Sequence, residues 1–492
     1  MRDWLAHRAA ASPDATAIVA ADDGTELTYA DLDVRVAETA GRLAALGLRE
    51  GDHLGVLMET RLASVRLVHA AMRLGCVLVP LNVRLARPEL RSQVATADLA
   101  ALVCEADTGA DATAVAGDVP VVSVDDGSVP SLDGQEPAAF EPGAWDRADP
   151  QVVLFTSGTT GDPKAVVLTM GNLLASATAS AFRLGVLPED RWHLCLSTYH
   201  MGGLAPVLRS TLYGTTVVVE EGFDPERTLA ALDEHGATGV SLVPTMLKRL
   251  LATGELPDSL RFVLLGGAPA RDELLAECER RGVPVYPTYG MTETASQVAT
   301  ASPAEAFDHD GTVGRPLLWT DVTVVDESGD PLPPDEPGEL VVSGPTVMAG
   351  YYDDPGETAA AFGEHGLHTG DVGYRDEAGR LWVLNRRSDR IVTGGENVDP
   401  GEVVATLRDH PDVAEAAVIG VEDEEWGERV AALVVPRGDA ALSLADVRDH
   451  CDGRLAGYKH PRLLATAEQL PRTASGTVDR DAVRERLRQE RC

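Results

Sequence analysis

The sequence predicts an α/β protein: a large N-terminal domain of β-sheets layered with helices, and a small α+β C-terminal domain. Three observations lead there. Short apolar runs alternate with helical segments up to about residue 310, the pattern of an α/β sheet. Beyond that point strand-like runs are joined by Gly, Pro and Asp turns, which suggests a β-rich subdomain at about 310–386. From Arg387 onward a segment of domain size carries its own helices and strands. The expected division is 1–386 and 387–492, and 492 residues exceed what one core normally serves.

The elements follow in order. Leu32, Val36, Ala40 and Leu43 recur at helical spacing within an N-capped segment at 28–46. The runs "HLGVLME" and "CVLVPLN" read as strands on either side of the helical "LASVRLVHAAMRLG". The alternation continues through "AALVCEA", "VPVVSV", "QVVLFTS", "AVVLT", "TTVVVEE", "GVSLVPT", "RFVLLGG" and "VPVYPTYG". Residues 107–148, rich in Asp, Gly and Pro, are expected to form a surface excursion. In the last segment a helix opens after Asp399-Pro400, strands "EAAVIGV" and "RVAALVV" follow, and a helix opens at Ser443 before a terminal helix. No internal repeat is visible.

Composition narrows the function. The net charge is −36, from 78 Asp plus Glu against 42 Lys plus Arg, and only Lys164, Lys248 and Lys459 are lysines. Such a surface repels nucleic acid and anionic membranes. The acidity is spread along the chain, which suggests work in concentrated salt, where screening removes self-repulsion. No signal-type or membrane-spanning run is seen, so a cytoplasmic location is expected. Six scattered cysteines form no C-x-x-C pair and read as free buried thiols, and no histidine motif points to zinc.

Three stretches carry candidate chemistry. In "TSGTTGDPK" an apolar strand runs into Thr156, Ser157, Gly158, Thr159, Thr160 and Gly161, and Lys164 adds a positive charge. Hydroxyls and backbone N–H groups in such a loop suit an anion. The spacing matches neither the Walker loop nor G-x-G-x-x-G, and a ligand-free Gly/Ser/Thr loop is the alternative. In "YGMTETASQ", Tyr289 can stack on a base, Thr292 can donate to a phosphate, and Glu293 offers a hard oxygen to Mg2+. A strand end with a solvated Glu is the alternative. In "LHTGDVGYRDEAGRLWVLNRRSDRIVTGGENVDP", Asp371 follows a Thr-Gly turn, where a carboxylate can accept from two sugar hydroxyls, and "GGEN" permits close backbone approach.

Taken in this order, "TSGTTGDPK", "YGMTET", "HTGDVGY" and "RRSDRIVTGGENVDPGEV" resemble the adenylate-forming superfamily of acyl- and aryl-CoA synthetases, luciferase and adenylation domains. The resemblance extends from about residue 4 to 488. "LLGGAPARDELLAEC", "YHMGGLAPVLRSTLYG" and "LNRRSDRIVTGGENVDP" further resemble its o-succinylbenzoate–CoA ligase branch, which serves menaquinone synthesis.

The resemblance implies two half-reactions. A carboxylate attacks the α-phosphate of Mg·ATP, giving an acyl-adenylate and pyrophosphate; the mobile small domain then turns, and the thiol of coenzyme A displaces AMP. Carried over by motif, Thr156, Ser157, Gly158, Thr159, Thr160 and Lys164 would hold the outer phosphates. Gly267, Ala268 and Pro269 would lie at the adenine. Tyr289 would stack on it, Thr292 would meet the α-phosphate, and Glu293 would hold Mg2+. Asp371 and Arg386 would bind ribose, with Ser388 at the hinge and Gly394 and Gly395 along the coenzyme A path. His200 would gate the acyl pocket, Gly290 would border the substrate, and Arg209 would pair with a buried substrate carboxylate. The implied partners are a small carboxylate, ATP and coenzyme A, with a homodimer possible and no nucleic acid or membrane insertion.

One position departs from the family pattern. Its C-terminal P-x-x-x-x-G-K-x-x-R places a lysine where "PRTASGTVDR" has Thr477. A hydroxyl cannot neutralise the charge that develops during adenylation. Lys459, Arg472 and Arg480 are the candidates to replace it. Two other readings therefore stay open: another aryl- or acyl-CoA synthetase or acyl-AMP ligase, or a nucleotide- or adenylate-binding protein impaired in adenylation.

Overall fold

The computed structural model describes residues 3–156, 163–270, 272–386, 391–438, 440–472 and 478–489. The chain divides into two compact units. The first comprises 1–83, 94–154 and 165–385; the second comprises 84–93, 155–164 and 386–492.

The first unit contains two large sheets. One follows the order Gly350–Tyr351, Lys164–Thr169, Pro150–Thr156, Val77–Pro80, His53–Leu57, Leu99–Cys104, Val121–Ser123. The other is 14-stranded, and its centre is the run Thr16–Ala20, Thr216–Val219, Arg191–Leu194, Gly239–Leu242, Phe262–Leu265, Val285–Met291. These central neighbours pair in parallel, and their buried, nearly continuous apolar sequences are what a parallel sheet covered on both faces requires. Helices Tyr29–Ala45, Leu62–Leu74, Met170–Leu184 and Met201–Tyr213 share one apolar core with residues of both sheets, including Ile18, Leu54, Leu78 and Val217. The first of them opens on a Thr28–Asp31 capping box and buries Leu32, Val36, Ala40 and Leu43, so its register is fixed by the periodicity of its own sequence.

Two expectations change. The strands at 310–386 do not form a sheet of their own. Thr300 pairs with Arg315 and Gly314 with Leu381, which stitches them onto the edge of the 14-stranded sheet. Residues 107–148 are not simply a surface excursion. They contain helix Gly109–Val115 and strand Val121–Ser123, and buried Trp145 donates its indole N–H to the Met72 carbonyl at 2.8 Å.

In the second unit a sheet containing Ile391–Thr393, Glu396–Val398, Val413–Asp423, Gly427–Pro436 and Leu463–Thr466 packs against helices Pro400–Arg408, Leu444–Cys451 and Arg480–Gln489. Asp399 and Ser443 cap the first two of these helices, as their sequences suggest. The five described cysteines are free and buried.

Candidate functional site

The parallel run brings the candidate residues to one edge. His200, the Gly267–Pro269 segment and the Tyr289–Glu293 stretch all lie at or just beyond the carboxyl ends of its strands. That edge is where open α/β sheets bind ligands. The register Leu265↔Pro287, carried two residues further, sets Gly267 level with Tyr289. Gly267 adopts a left-handed φ of +78°, which turns the chain out of its strand.

Tyr289 is 8% exposed and packs with Val298, Ala299, Leu340 and Leu381. Its hydroxyl donates to Asp371 Oδ2 at 2.7 Å. Gly290 follows at a bulge, where a Cβ would lie 1.6 Å from the Ser296 carbonyl oxygen, so no other residue fits. The chain then makes the short turn Thr292–Thr294 and leaves it through Ala295 at φ 51°. Glu293 is buried on this turn; its carbonyl accepts from Met348 N–H at 2.8 Å, and its Oε1 lies 3.4 Å from the Tyr351 hydroxyl.

Asp371 sits on strand Gly366–Arg375 and is 1% exposed. Its own N–H donates to Thr369 Oγ1, and Gly370 N–H donates to Glu339 Oε1. The Thr-Gly-Asp turn is thus pinned from both sides, and the Asp371 carboxylate is aimed by the fold.

His200 is exposed and precedes helix Met201–Tyr213, its ring edge-on to Tyr199 at 4.9 Å. Nine residues on, Arg209 is buried in the same helix, and no carboxylate of the described residues pairs with it. Burial pulls its pKa below the ordinary arginine value, partly countered by Tyr213. Its Nη2 donates to Ser176 Oγ at 3.0 Å, and Ser176 Oγ donates to the Ala295 carbonyl at 2.6 Å.

In the phosphate-loop stretch, Thr156 ends one strand and Lys164 begins its neighbour in the sheet. Ser157, Gly158, Thr159, Thr160 and Gly161 between them lie outside the described residues. So do Ser388, Thr477 and the side chain of Arg386. Gly394 and Gly395 form a two-residue hairpin loop with φ of 59° and 86°, the conformation a type I′ turn needs. Gly394 N–H donates to the Trp426 carbonyl at 2.8 Å.

Lys459 is not available in this structure as a stand-in for the family lysine. It is buried, and its Nζ is held by Glu402 at 2.8 and 2.9 Å and by Glu89. Arg472 pairs with Glu415, and burial lowers the pKa of Arg480.

Sequence reasoning missed Asn172, Ser176 and Tyr351, which hold the Thr292–Ala295 turn. Asn172 is visible locally as the third residue of the Thr169 capping box. Its second role, donating Nδ2–H to the carbonyls of Pro345 and Val347, spans more than 170 residues and leaves no local signature.

Comparison with known proteins agrees with this geometry. The AMP-binding enzyme family matches residues 5–352, and the AMP-binding enzyme C-terminal domain matches 402–477. The chain is similar to the 2-succinylbenzoate–CoA ligase of Bacillus pumilus, at 39% identity over 97% of this chain and 96% of the relative. Among solved structures it resembles a double mutant of o-succinylbenzoate CoA synthetase from Bacillus subtilis bound with a product analogue (TM-score 0.93, 36% identity, 99% of both chains). It also resembles that enzyme in complex with ATP and magnesium ion (TM-score 0.76, 36% identity, 99% of both chains). The two family matches together span both halves of a sheet edge built for a nucleotide, and the chain belongs to the AMP-binding enzyme family.

Proposed function

We propose that the protein is an AMP-forming acid–thiol ligase that converts o-succinylbenzoate to o-succinylbenzoyl-CoA, a step of menaquinone biosynthesis. The observation that carries this reading is the near full-length similarity to 2-succinylbenzoate–CoA ligases, joined to a buried guanidinium without a carboxylate partner. A dicarboxylic acid that reacts at one carboxylate must have the other accommodated, and Arg209 provides the cation for it.

The chemistry follows from the nature of the substrate. A carboxylate cannot acylate a thiol directly, because its leaving group would be oxide. Transfer of AMP from ATP to the carboxylate releases pyrophosphate and supplies a good leaving group; the coenzyme A thiol then takes the acyl group and AMP departs. The protein must align carboxylate and α-phosphorus, offset phosphate charge, and keep water from the mixed anhydride. Thr156 and Lys164, with Ser157, Gly158, Thr159 and Thr160, are assigned to the outer phosphates. Thr292 is assigned to the α-phosphate, and Asp371, steadied by Tyr289, to the ribose with Arg386. His200 borders the acyl entrance, and Gly394 and Gly395 the coenzyme A path.

Glu293 is the residue that would hold Mg2+. Among the described residues no group of three or more Asp, Glu, His or Cys could hold a metal ion, so one buried carboxylate suits an ion that arrives on the phosphates. When bound, Mg2+ neutralises phosphate charge and orients the β- and γ-oxygens.

A cytoplasmic setting and a homodimer belong to the same proposal, as does adaptation to high salt. The buried free thiols suit a reducing compartment, and no described helix is long and apolar enough to cross a membrane. ATP–pyrophosphate exchange with a panel of carboxylates tests the function. Exchange with o-succinylbenzoate, followed by thioester formation on adding coenzyme A, is expected. Exchange with another acid only, or with none, overturns it.

A further inference from the structure

Helix Met170–Leu184 grips the turn that carries Thr292 and Glu293 at two points. Asn172 holds the carbonyls of Pro345 and Val347, and the next residue of that segment, Met348, donates to the Glu293 carbonyl. Ser176, one helical turn further on the same face, donates to the Ala295 carbonyl. Ala295 adopts a left-handed φ of 51°, which an alanine holds only where surrounding contacts fix it.

The direction of the hydrogen bonds through Ser176 is forced. A guanidinium only donates and a carbonyl only accepts, so the single Ser176 proton goes to Ala295 while its lone pair takes the Arg209 N–H. Serine, arginine and Ala295 are all buried, and bonds in such a chain polarise one another.

We propose that Ser176 is a positioning residue that couples Arg209 to the Thr292–Glu293 turn. It lets the non-reacting carboxylate of a dicarboxylic acid, seated on Arg209, set the groups that meet the α-phosphate and the metal. The inference rests on the reading of Arg209 given above. A carboxylate that takes up part of the guanidinium charge changes the hydrogen bond Ser176 receives, and the serine passes the change to the Ala295 carbonyl. An acid lacking the second carboxylate binds without producing that change, so discrimination appears in turnover as well as in affinity.

The test is pyrophosphate release by the full chain with o-succinylbenzoate and with its two single-carboxylate analogues, one lacking each carboxyl group. Ser176→Ala is expected to lower kcat for the dicarboxylate about tenfold or more, with KM for the acid changed less than about threefold. Ser176→Thr, which keeps the hydroxyl, is expected to recover most of the loss. Arg209→Met is expected to abolish the preference for the dicarboxylate, and adding Ser176→Ala to it to cost nothing further. If Ser176→Ala folds poorly, Ser176→Cys preserves volume with a weaker donor and is read the same way. Arg209→Met keeping the dicarboxylate preference overturns the reading of Arg209. Loss of that preference in Arg209→Met, with Ser176→Ala unchanged in kcat or additive with it, overturns the coupling alone.

Discussion

The Tyr289 hydroxyl donates to Asp371 Oδ2 at 2.7 Å, across 82 residues of sequence. The contact joins the central parallel strands to the strand Gly366–Arg375, with both partners buried. A buried carboxylate that must meet two sugar hydroxyls gains from a donor that fixes its rotation in advance. Tyr289 therefore has a task beyond facing a base: its ring fills the core and its hydroxyl orients the ribose ligand.

Tyr289→Phe isolates that task, because the ring is retained and one hydrogen bond is removed. A hydrogen bond to a charged group contributes about 1.5–3 kcal/mol, so AMP affinity should fall roughly tenfold or more. Affinity for 2′,3′-dideoxy-AMP, which has no ribose hydroxyls for Asp371, should change little. Calorimetric titration of both nucleotides decides it; equal weakening of both would falsify the role through Asp371.

The second unit contains a proton-sensitive cluster. Lys459 lies between Glu402 and Glu89, with Arg84, Glu396 and Tyr458 beside them. Burial raises the Glu402 pKa from 4.5 to about 7; Lys459 opposes the shift and Glu89 adds to it. The folded protein thus keeps a proton that the unfolded chain has released. That contribution to stability is complete below about pH 4.5 and is lost as pH rises through about 7. Glu402→Gln, neutral at every pH, should gain on the wild type between pH 5 and pH 8 by on the order of 1–3 kcal/mol. Denaturant melts at both pH values measure this, and a pH-independent difference would rule out titration of Glu402.

How far the sequence reached depends on how local each signal is. The Thr28–Asp31 cap, the apolar runs of the parallel strands and the caps at Asp399 and Ser443 lie within a few residues of what they determine, and all were legible. The Gly/Pro/Asp turns beyond residue 310 read as a separate subdomain, because the Gly314–Leu381 and Thr300–Arg315 pairings that attach it are invisible locally. The motif residues were recognisable as types in order, but their orientation was not. Asp371 needs Tyr289, Glu293 needs Met348, and Arg209 needs Ser176, each a contact between distant parts of the chain. Lys459 shows the opposite limit. It was singled out because lysines are rare here, yet two carboxylates already occupy it.

The net charge of −36 has a direct consequence for stability. Self-repulsion among carboxylates destabilises the compact state at low ionic strength, and salt shortens the screening length from about 30 Å at 0.01 M to about 3 Å at 1 M. The melting temperature should therefore rise between low and molar KCl, by several degrees. A fall over that range, followed by differential scanning fluorimetry, would sink the proposal of adaptation to high salt.

Thr477 poses the sharpest chemical question. The family pattern places a lysine there, to bridge the acyl carboxylate and α-phosphate during adenylation, and a threonine hydroxyl cannot supply the charge. The C-terminal part has one other lysine, Lys459, and two carboxylates hold it. Arg472 is partly exposed and engaged with Glu415. Thr477→Lys should therefore raise the rate of adenylation, by about tenfold or more if the missing charge limits that step. Thioester formation from preformed acyl-adenylate should stay as it was, because that half-reaction needs no charge at the phosphorus. Pyrophosphate release and single-turnover thioester formation separate the two steps. An unchanged pyrophosphate rate would mean that an arginine, Arg472 or Arg480 first among them, already fills the role when the nucleotide is bound.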